Sequence, residues 1–227
     1  MSVEDYAEQL EYDLAWRREE VAFFENVGSD LTDDEVKLYR RAVILMLYAH
    51  FEGFVKFALE LYITMLNSRQ HTCGEVNYAL AAATLSDLFH DLRHPDKKCA
   101  DFPDILQDEP KLRIFGREQA FLSGVDVFES RTVSIPDGVV DMESNLKPIV
   151  LKKNLFRLGL DYAAFDDVMG DINKILGYRN KIAHGKYKAG IQEQEYFGYK
   201  KSAFEVMESV RNQISSSLDT ESYRRTG

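Results

Sequence analysis

The 227-residue sequence has only two cysteines, Cys73 and Cys99, and its start predicts no secretory signal peptide. Its first residues are acidic (Glu4 and Asp5), whereas a secretory signal begins with a basic segment. No uninterrupted apolar run approaches the roughly 18 residues that a membrane-spanning helix needs. These absences exclude a disulfide-rich secreted domain and favour a protein of the reducing cytoplasm with no membrane association.

Basic residues are also in the minority, because 28 Lys and Arg face 38 Asp and Glu, for a net charge of -10. Such a balance argues against a broad nucleic-acid-binding surface. The excess acidity is confined to residues 1–35, which hold 12 acidic and 2 basic residues, while residues 36–227 hold 26 of each. Two interpretations of the acidic segment stay open: a solvated helix face, or a surface that guards a site or docks a partner.

Apolar residues recur at steps of three and four along most of the chain, which is typical of helices. A capping box at Thr32 and Glu35 predicts the start of a long central helix. The predicted helices cover residues 4–26, 33–66, 75–92 (one or two short helices), 111–119, 148–158, 162–184 and 192–217. A small strand is expected within 123–140, and residues 220–227 are expected to be frayed. The sequence thus predicts one all-α domain over residues 1–227, with an acidic N-terminal helix at 1–30 and a loop-rich insertion at about 93–145.

Residues 179–185 read R-N-K-I-A-H-G, near the end of a predicted helix. His184 supplies an imidazole, a group that can serve as acid or base in catalysis at neutral pH, and Arg179 supplies a permanent cation for phosphoryl oxygens. Attack of a ribose 2′-OH on the adjacent phosphorus requires these two groups and no metal. At about 100° per residue, Arg179 and His184 lie about 140° apart, while Asn180 and His184 share a face. A site that uses all three therefore needs a second surface, from another helix or another copy of the chain. The alternative is that both side chains only satisfy the last carbonyls of the helix.

Residues 175–185 resemble the signature of the HEPN (higher eukaryotes and prokaryotes nucleotide-binding) superfamily, an Arg followed after four to six residues by a His. Residues 48–56 resemble the Glu-x-x-x-Lys feature of several HEPN families, here Glu52 and Lys56. An i, i+4 surface ion pair is the alternative interpretation of those two residues. Residues 144–160 resemble the segment before the motif helix in HEPN proteins of the RiboL-PSP and MAE-type groups.

The resemblance implies an HEPN-like helical bundle that acts as a metal-independent endoribonuclease, the toxin or effector of a bacterial toxin–antitoxin or phage-defence system. It implies a homodimer whose motif helices form one composite cleft, with RNA as substrate, an antitoxin protein as a further partner, and no cofactor. Arg179, Asn180 and His184 would be catalytic, and Glu52 and Lys56 would support them. In some HEPN toxins a tyrosine two positions after the His receives AMP. Here Tyr187 follows three positions after, so this control is not expected. The alternative function is a non-catalytic HEPN-like module that binds a partner protein or a nucleotide.

Lysines cluster around the motif and before it. They are candidates for contacts to an RNA backbone, and the alternative is that they are ordinary solvated side chains. These candidates are Lys181, Lys186, Lys188, Lys152 and Lys153. Tyr187, Tyr196 and Phe197 are candidates for base stacking, and Tyr187 is also a candidate supporting residue of the site. A rival cluster contains zinc-ligand side chains, but its spacing matches no common zinc site, so no metal is expected. Its members are His71, Cys73, His90, His94 and Cys99.

Overall fold

The computed structural model describes residues 2–94 and 109–225 of the chain. Over these residues the chain forms eight α-helices, and no strand longer than a single bridge accompanies them. The helices are α1 (Val3–Gly28), α2 (Asp33–Ser68), α3 (Tyr78–Thr84), α4 (Ser86–Arg93), α5 (Pro110–Phe128), α6 (Pro148–Arg157), α7 (Met169–Ala183) and α8 (Glu193–Asp219). The all-α prediction is confirmed.

Local sequence signals explain where several helices begin. The Asp5 carboxylate accepts from the Ser2 N–H at 2.6 Å, and the Ser2 hydroxyl accepts from the Asp5 N–H at 3.1 Å. This reciprocal capping box starts α1. The predicted capping box of α2 is also present, with the Glu35 carboxylate accepting from the Thr32 N–H at 3.0 Å. A proline occupies the first turn of α6, where its missing N–H costs nothing.

The long helix α2 is the centre of the bundle, because it packs against α1, α7 and α8. Its buried side chains point to more than one face, so it contributes to the core all along its length. By length and composition alone α2 is apolar enough to cross a membrane, but 56% of its most apolar window is buried inside the bundle. The helix therefore has the burial of a core helix, consistent with a soluble protein.

The end of the chain differs from the prediction of a frayed terminus. Tyr223 is only 1% exposed, and its carbonyl accepts from the Asn77 N–H at 2.8 Å. The Arg225 N–H donates to the Glu75 carbonyl at 2.9 Å. Burial of one aromatic ring thus fixes residues 220–225 against the start of α3, and residues 226–227 lie outside the described residues.

The predicted insertion at about 93–145 is partly helical. Residues 95–108 lie outside the described residues, and α5 follows them and packs against α4. Because α5 runs to Phe128, well past the predicted 111–119, little of 123–140 is left to pair as a strand. The expected strand is reduced to one bridge between Thr72 and Thr132, and the prediction of a strand is wrong.

Candidate functional site

The R-N-K-I-A-H-G segment ends α7 in a defined turn. The Lys186 N–H donates to the Lys181 carbonyl at 2.7 Å, and the Gly185 N–H donates to the Ile182 carbonyl at 2.9 Å. This pair of bonds is a Schellman motif, and it requires a left-handed residue, which Gly185 supplies with φ +66. The turn stops the helix immediately after His184, so that the imidazole lies exposed at the helix end.

Arg179 points in another direction, toward α2. Its guanidinium lies over the ring of Tyr48, 5.5 Å from the centroid, and the side chain is half-buried. Its Nη1 donates to the Asn180 Oδ1 at 2.9 Å. The aromatic face and the amide together restrict the guanidinium, which is the preorganisation that a phosphate-binding cation needs.

Tyr48 is itself held in place by a buried network. Its hydroxyl donates to the Glu52 Oε2 at 2.5 Å, and the Leu146 N–H donates to the same carboxylate oxygen at 2.9 Å. Burial, and next the hydrogen bond to Glu52, raises the pKa of Tyr48, so the phenol stays protonated and remains a donor. Lys56 takes a different partner and lies 3.7 Å from Glu60. Glu52 therefore supports the ring beneath Arg179, while Lys56 belongs to a surface ion pair.

One copy of the chain brings Arg179 and Asn180 together but leaves His184 apart. The His184 N–H donates to the Asn180 carbonyl at 3.1 Å, which is a backbone contact of the helix. No side-chain hydrogen bond of His184 is formed to any part of residues 2–94 and 109–225. The side of α7 that carries Asn180 and His184 also carries Gly177, where an added Cβ would meet no atom within 4 Å. That side is open to a second surface.

The family model described as MAE_28990-like HEPN matches residues 6–223, nearly the whole chain. The chain belongs to this HEPN family. No curated protein and no solved structure matches it. Membership in the HEPN superfamily indicates an RNase-like or nucleotide-related function. Because the match extends over both halves of the chain, α1, α2, α7 and α8 all belong to the HEPN unit.

The lysines around the HEPN motif separate into two groups. Lys152 forms an ion pair with Asp166, and Lys153 bonds to Glu143 at 2.8 Å, so both are already neutralised within the chain. The other three lysines lie within the motif or just after it, are exposed, and form no ion pair within the described ranges; they are Lys181, Lys186 and Lys188. The cations left available for an anionic ligand are thus the ones nearest His184.

The loop after the HEPN motif is fixed against α2. The Lys188 carbonyl accepts from Arg41 Nη1 at 2.6 Å, and the Ile191 N–H donates to the Lys37 carbonyl at 2.9 Å. An added Cβ at Gly190 would lie 2.4 Å from the Lys37 Cβ, so only glycine permits this approach. The lysine-bearing loop therefore has a defined position beside the helix end.

The three aromatic candidates also differ in the structure. Tyr196 is only 2% exposed and bonds to Glu25 at 2.9 Å, so it belongs to the core and presents no face for stacking. Phe197 is 43% exposed and has the Lys200 ammonium over its ring. Tyr187 packs edge-on against Tyr178 at 5.0 Å and is half-buried. Of the three, Tyr187 is the one that adjoins the motif.

Sequence reasoning missed a cleft of about 700 Å³ between α7 and α8. Tyr178 and Tyr199 line it, and both hydroxyls donate to the Glu195 Oε1, at 2.7 and 2.8 Å. Burial, and next the hydrogen bond to Glu195, raises the pKa of each phenol. The repeated apolar spacing of α8 indicated only a core helix, and no signal in the sequence pointed to a cleft there.

The rival cluster of possible zinc ligands does not assemble in the described part of the chain. His71 Nε2 lies 3.2 Å from the Tyr223 hydroxyl, and Cys73 is buried. The rings of His90 and His94 lie 5.4 Å apart, and Cys99 lies outside the described residues. No group of three His, Cys, Asp or Glu suited to a metal occurs in residues 2–94 and 109–225.

Proposed function

We propose that this HEPN protein is a metal-independent endoribonuclease that works as a homodimer. It acts in the bacterial cytoplasm as the toxin or effector of a toxin–antitoxin or phage-defence system, where an antitoxin protein is its partner. HEPN membership supports the broad class, and the geometry at the end of α7 supports the particular activity.

The observation that carries the proposal is that one copy of the chain keeps the arginine and the histidine of the motif apart. Arg179 and Asn180 form a restrained unit over Tyr48, whereas His184 is exposed at the helix end with no side-chain partner within the described residues. A purely capping role would bring both side chains onto the last carbonyls of α7. Instead, backbone N–H groups of the Schellman turn satisfy the Lys181 and Ile182 carbonyls. The side chains of the motif therefore remain available for a ligand.

The chemistry follows from the residue types. One His184 takes the proton from a ribose 2′-OH, and the 2′ oxygen bonds to the adjacent phosphorus. The bond from phosphorus to the 5′ oxygen breaks, and the leaving oxygen takes a proton from a second imidazole. The products carry a 2′,3′-cyclic phosphate and a 5′-OH. Arg179 stabilises the charge on the non-bridging oxygens, and Asn180 holds the guanidinium in its orientation.

A second copy supplies the second imidazole. In a two-fold dimer each surface meets its own counterpart, so two α7 helices that pack through their open sides would bring the two His184 imidazoles to one interface, with each Arg179 held beside it by its own copy. The second surface required by the 140° separation is then the other protomer.

The alternative function is a non-catalytic HEPN-like module that binds a partner protein or a nucleotide. It is favoured by the fact that the Arg179 guanidinium is already bonded to Asn180 and stacked on Tyr48, contacts that also suit a purely structural arginine. In that case the open side of α7 would bind a different protein, and the exposed His184 would have no chemical role.

The test is cleavage of a mixed single-stranded RNA by purified protein in EDTA, with His184→Ala and Arg179→Ala as the two variants. We expect cleavage with 5′-OH products, and loss of it in both variants with unchanged helix content. Equal cleavage by both variants and the parent would refute the assigned site. Absence of cleavage by the parent, with tight binding of a partner or nucleotide, would favour the alternative.

A further inference from the structure

The cleft between α7 and α8 lies next to the motif but outside it. The cleft has a volume of about 700 Å³, within the range of small-molecule and nucleotide sites. An added Cβ at Gly198 of α8 would meet no atom within 4 Å, and the same holds for Gly177 of α7. Both helices thus leave open space where they line the cleft, so a planar group can approach their backbones.

Three tyrosines form the wall of this cleft, and each is held by a hydrogen bond. Tyr178 and Tyr199 share the Glu195 carboxylate, and their ring centroids lie 5.8 Å apart. The Tyr187 hydroxyl donates to the Gly190 carbonyl at 3.2 Å, and its ring stands at 76° to that of Tyr178. Rings that are fixed before binding offer stacking surface at little entropic cost.

The charged side chains of the cleft indicate which end of it suits an anionic group. Asp171 and Glu195 are already engaged, with Lys174 at 3.0 Å from Asp171 and the two tyrosine hydroxyls on Glu195. Lys181 also lines the cleft and forms no ion pair with residues of the described ranges. An anionic group therefore fits at the Lys181 edge, and an uncharged aromatic group fits further in. Asn173 and Gln194 on the rim carry both donors and acceptors for the edge of a base.

The Lys181 edge is also the edge nearest the motif. Lys181 precedes His184 by three residues of the same helix, a rise of about 4.5 Å and a rotation of about 60°. The Lys181 carbonyl accepts from the Tyr187 N–H at 3.2 Å, which brings the chain back beside Lys181 just after the motif. A strand whose phosphate lies at His184 can therefore place a neighbouring nucleotide in the cleft.

We infer that the α7–α8 cleft is a nucleotide subsite, in which a base stacks on the Tyr187 ring beside the Tyr178 ring and its phosphate pairs with Lys181. Its occupant is one nucleotide of single-stranded RNA, next to the phosphate that reacts. This inference rests on the proposed ribonuclease function. It requires only that the protein binds a single strand of RNA, so it can be tested without cleavage.

The experiment measures binding to a protein that carries His184→Ala, so that no strand is consumed. The probe is a fluorescein-labelled single-stranded RNA of about ten nucleotides, titrated by anisotropy at a stated salt concentration. Gly198→Leu fills the cleft from α8, and Gly198→Ala is the matched control, because its added Cβ meets nothing within 4 Å. We expect Gly198→Leu to weaken binding roughly tenfold or more, the size of one lost base stack, and Gly198→Ala to bind like the parent.

Two further variants separate stacking from charge. Tyr187→Ala should weaken binding as Gly198→Leu does, whereas Tyr187→Phe keeps the ring and loses only the hydroxyl bond to Gly190, so it should bind more tightly than Tyr187→Ala. Lys181→Ala should reduce the slope of log affinity against log salt by about 0.7, the value for one phosphate contact on a single strand. Circular dichroism and thermal melting of each variant show that the fold is intact.

The outcomes distinguish this inference from the ribonuclease proposal. If Gly198→Leu and Tyr187→Ala bind the RNA as tightly as the parent, the subsite is refuted, and the cleavage test still stands by itself. If the parent binds neither the RNA nor any of the four nucleoside 5′-monophosphates, the subsite is also refuted. If monophosphates bind and Gly198→Leu abolishes that binding while the wild-type protein cleaves no RNA, the cleft is supported and the ribonuclease is not.

Discussion

Two Arg-His pairs in the described part of the chain have opposite surroundings. Arg17 of α1 and His50 of α2 are both buried, with Arg17 Nη1 3.4 Å from His50 Nδ1. Arg179 and His184 lie at the end of α7, where the arginine turns to Tyr48 and the histidine is exposed. The first pair is in direct contact, and the second pair is not.

The buried pair has its partners within the chain. Arg17 donates to the Asp13 carboxylate at 2.7 Å and to the His50 carbonyl at 3.2 Å, and Glu20 lies 2.9 Å from His50 Nε2. Burial lowers the pKa of His50, and the Glu20 carboxylate opposes this with a smaller effect that raises the pKa. This network holds α1 against α2, and both members of the pair are buried within it. The pair in α7 is not enclosed in this way, because Arg179 is half-buried and His184 is exposed. For this reason we assign the proposed function to the pair in α7.

The largest expected effect is a difference between the two histidines: loss of His184 should lower cleavage, and loss of His50 should lower stability. His184→Ala should lower RNA cleavage by roughly 10²–10⁴-fold, the contribution of general acid–base catalysis, with no change in unfolding free energy. His50→Ala should destabilise the fold and leave cleavage per folded molecule near that of the parent. Cleavage assays and urea unfolding of both variants check this, and the comparison fails if His50→Ala abolishes cleavage in a fully folded protein.

The arginine of the buried pair should matter for stability alone. Arg17→Ala removes one partner of a buried ionic network and should reduce the unfolding free energy by about 3 kcal/mol. Arg18→Ala is the matched control, because its pair with Glu208 is exposed and its loss should cost at most about 1 kcal/mol. Equal midpoints in urea for the two variants would show that the buried network does not stabilise the fold.

The support beneath Arg179 should affect catalysis more weakly. Glu52→Gln weakens the bonds that fix Tyr48 and the Leu146 N–H, so the guanidinium loses its orientation. We expect a fall of roughly tenfold in kcat with little change in KM, typical of a positioning residue. Lys56→Gln is the control and should leave both constants unchanged, since Lys56 pairs with Glu60. A loss in Lys56→Gln equal to that in Glu52→Gln would argue against this division of roles.

The smallest expected effect is on the pH dependence of stability. Because burial in the folded state lowers the pKa of His50 below the ordinary histidine value of 6.5, the unfolded chain binds a proton more readily. The contribution of His50 to the unfolding free energy should therefore be complete above pH 6.5 and should decline as the pH falls below that value. Over the range below pH 6.5, His50→Gln should flatten the curve of the parent. Urea unfolding across this range measures both slopes.

Much of the bundle could be predicted because its signals are local. Capping boxes, a proline in a first turn and apolar spacing gave the helices α1, α2, α6 and α8 to within a few residues. The fixed end of the chain could not be predicted in this way. Tyr223 is buried by contacts with residues about 150 positions earlier, such as His71, and a polar local sequence gives no sign of them.

The same distinction applies to the candidate site. The spacing of Arg179 and His184 showed that one helix does not bring them together, and the structure places them apart. The platform of Tyr48 and Glu52 depends on the Leu146 N–H, nearly 100 residues away, so the sequence indicated Glu52 but not its partners. Tyr196 was a candidate for base stacking, yet its hydroxyl is held by Glu25 of α1 inside the core.

The most direct test of the central claim is a mixing experiment, because the claim is that the motif works only when two copies close over it. Wild-type protein and the His184→Ala variant are refolded together in equal amounts, and RNA cleavage is measured against wild type at the same total concentration. If each active site needs an imidazole from both copies, about a quarter of the activity remains, the share of dimers with two intact copies. A value of about one half would show that one imidazole is enough for cleavage, and it would contradict a site that takes its base from one copy and its acid from the other.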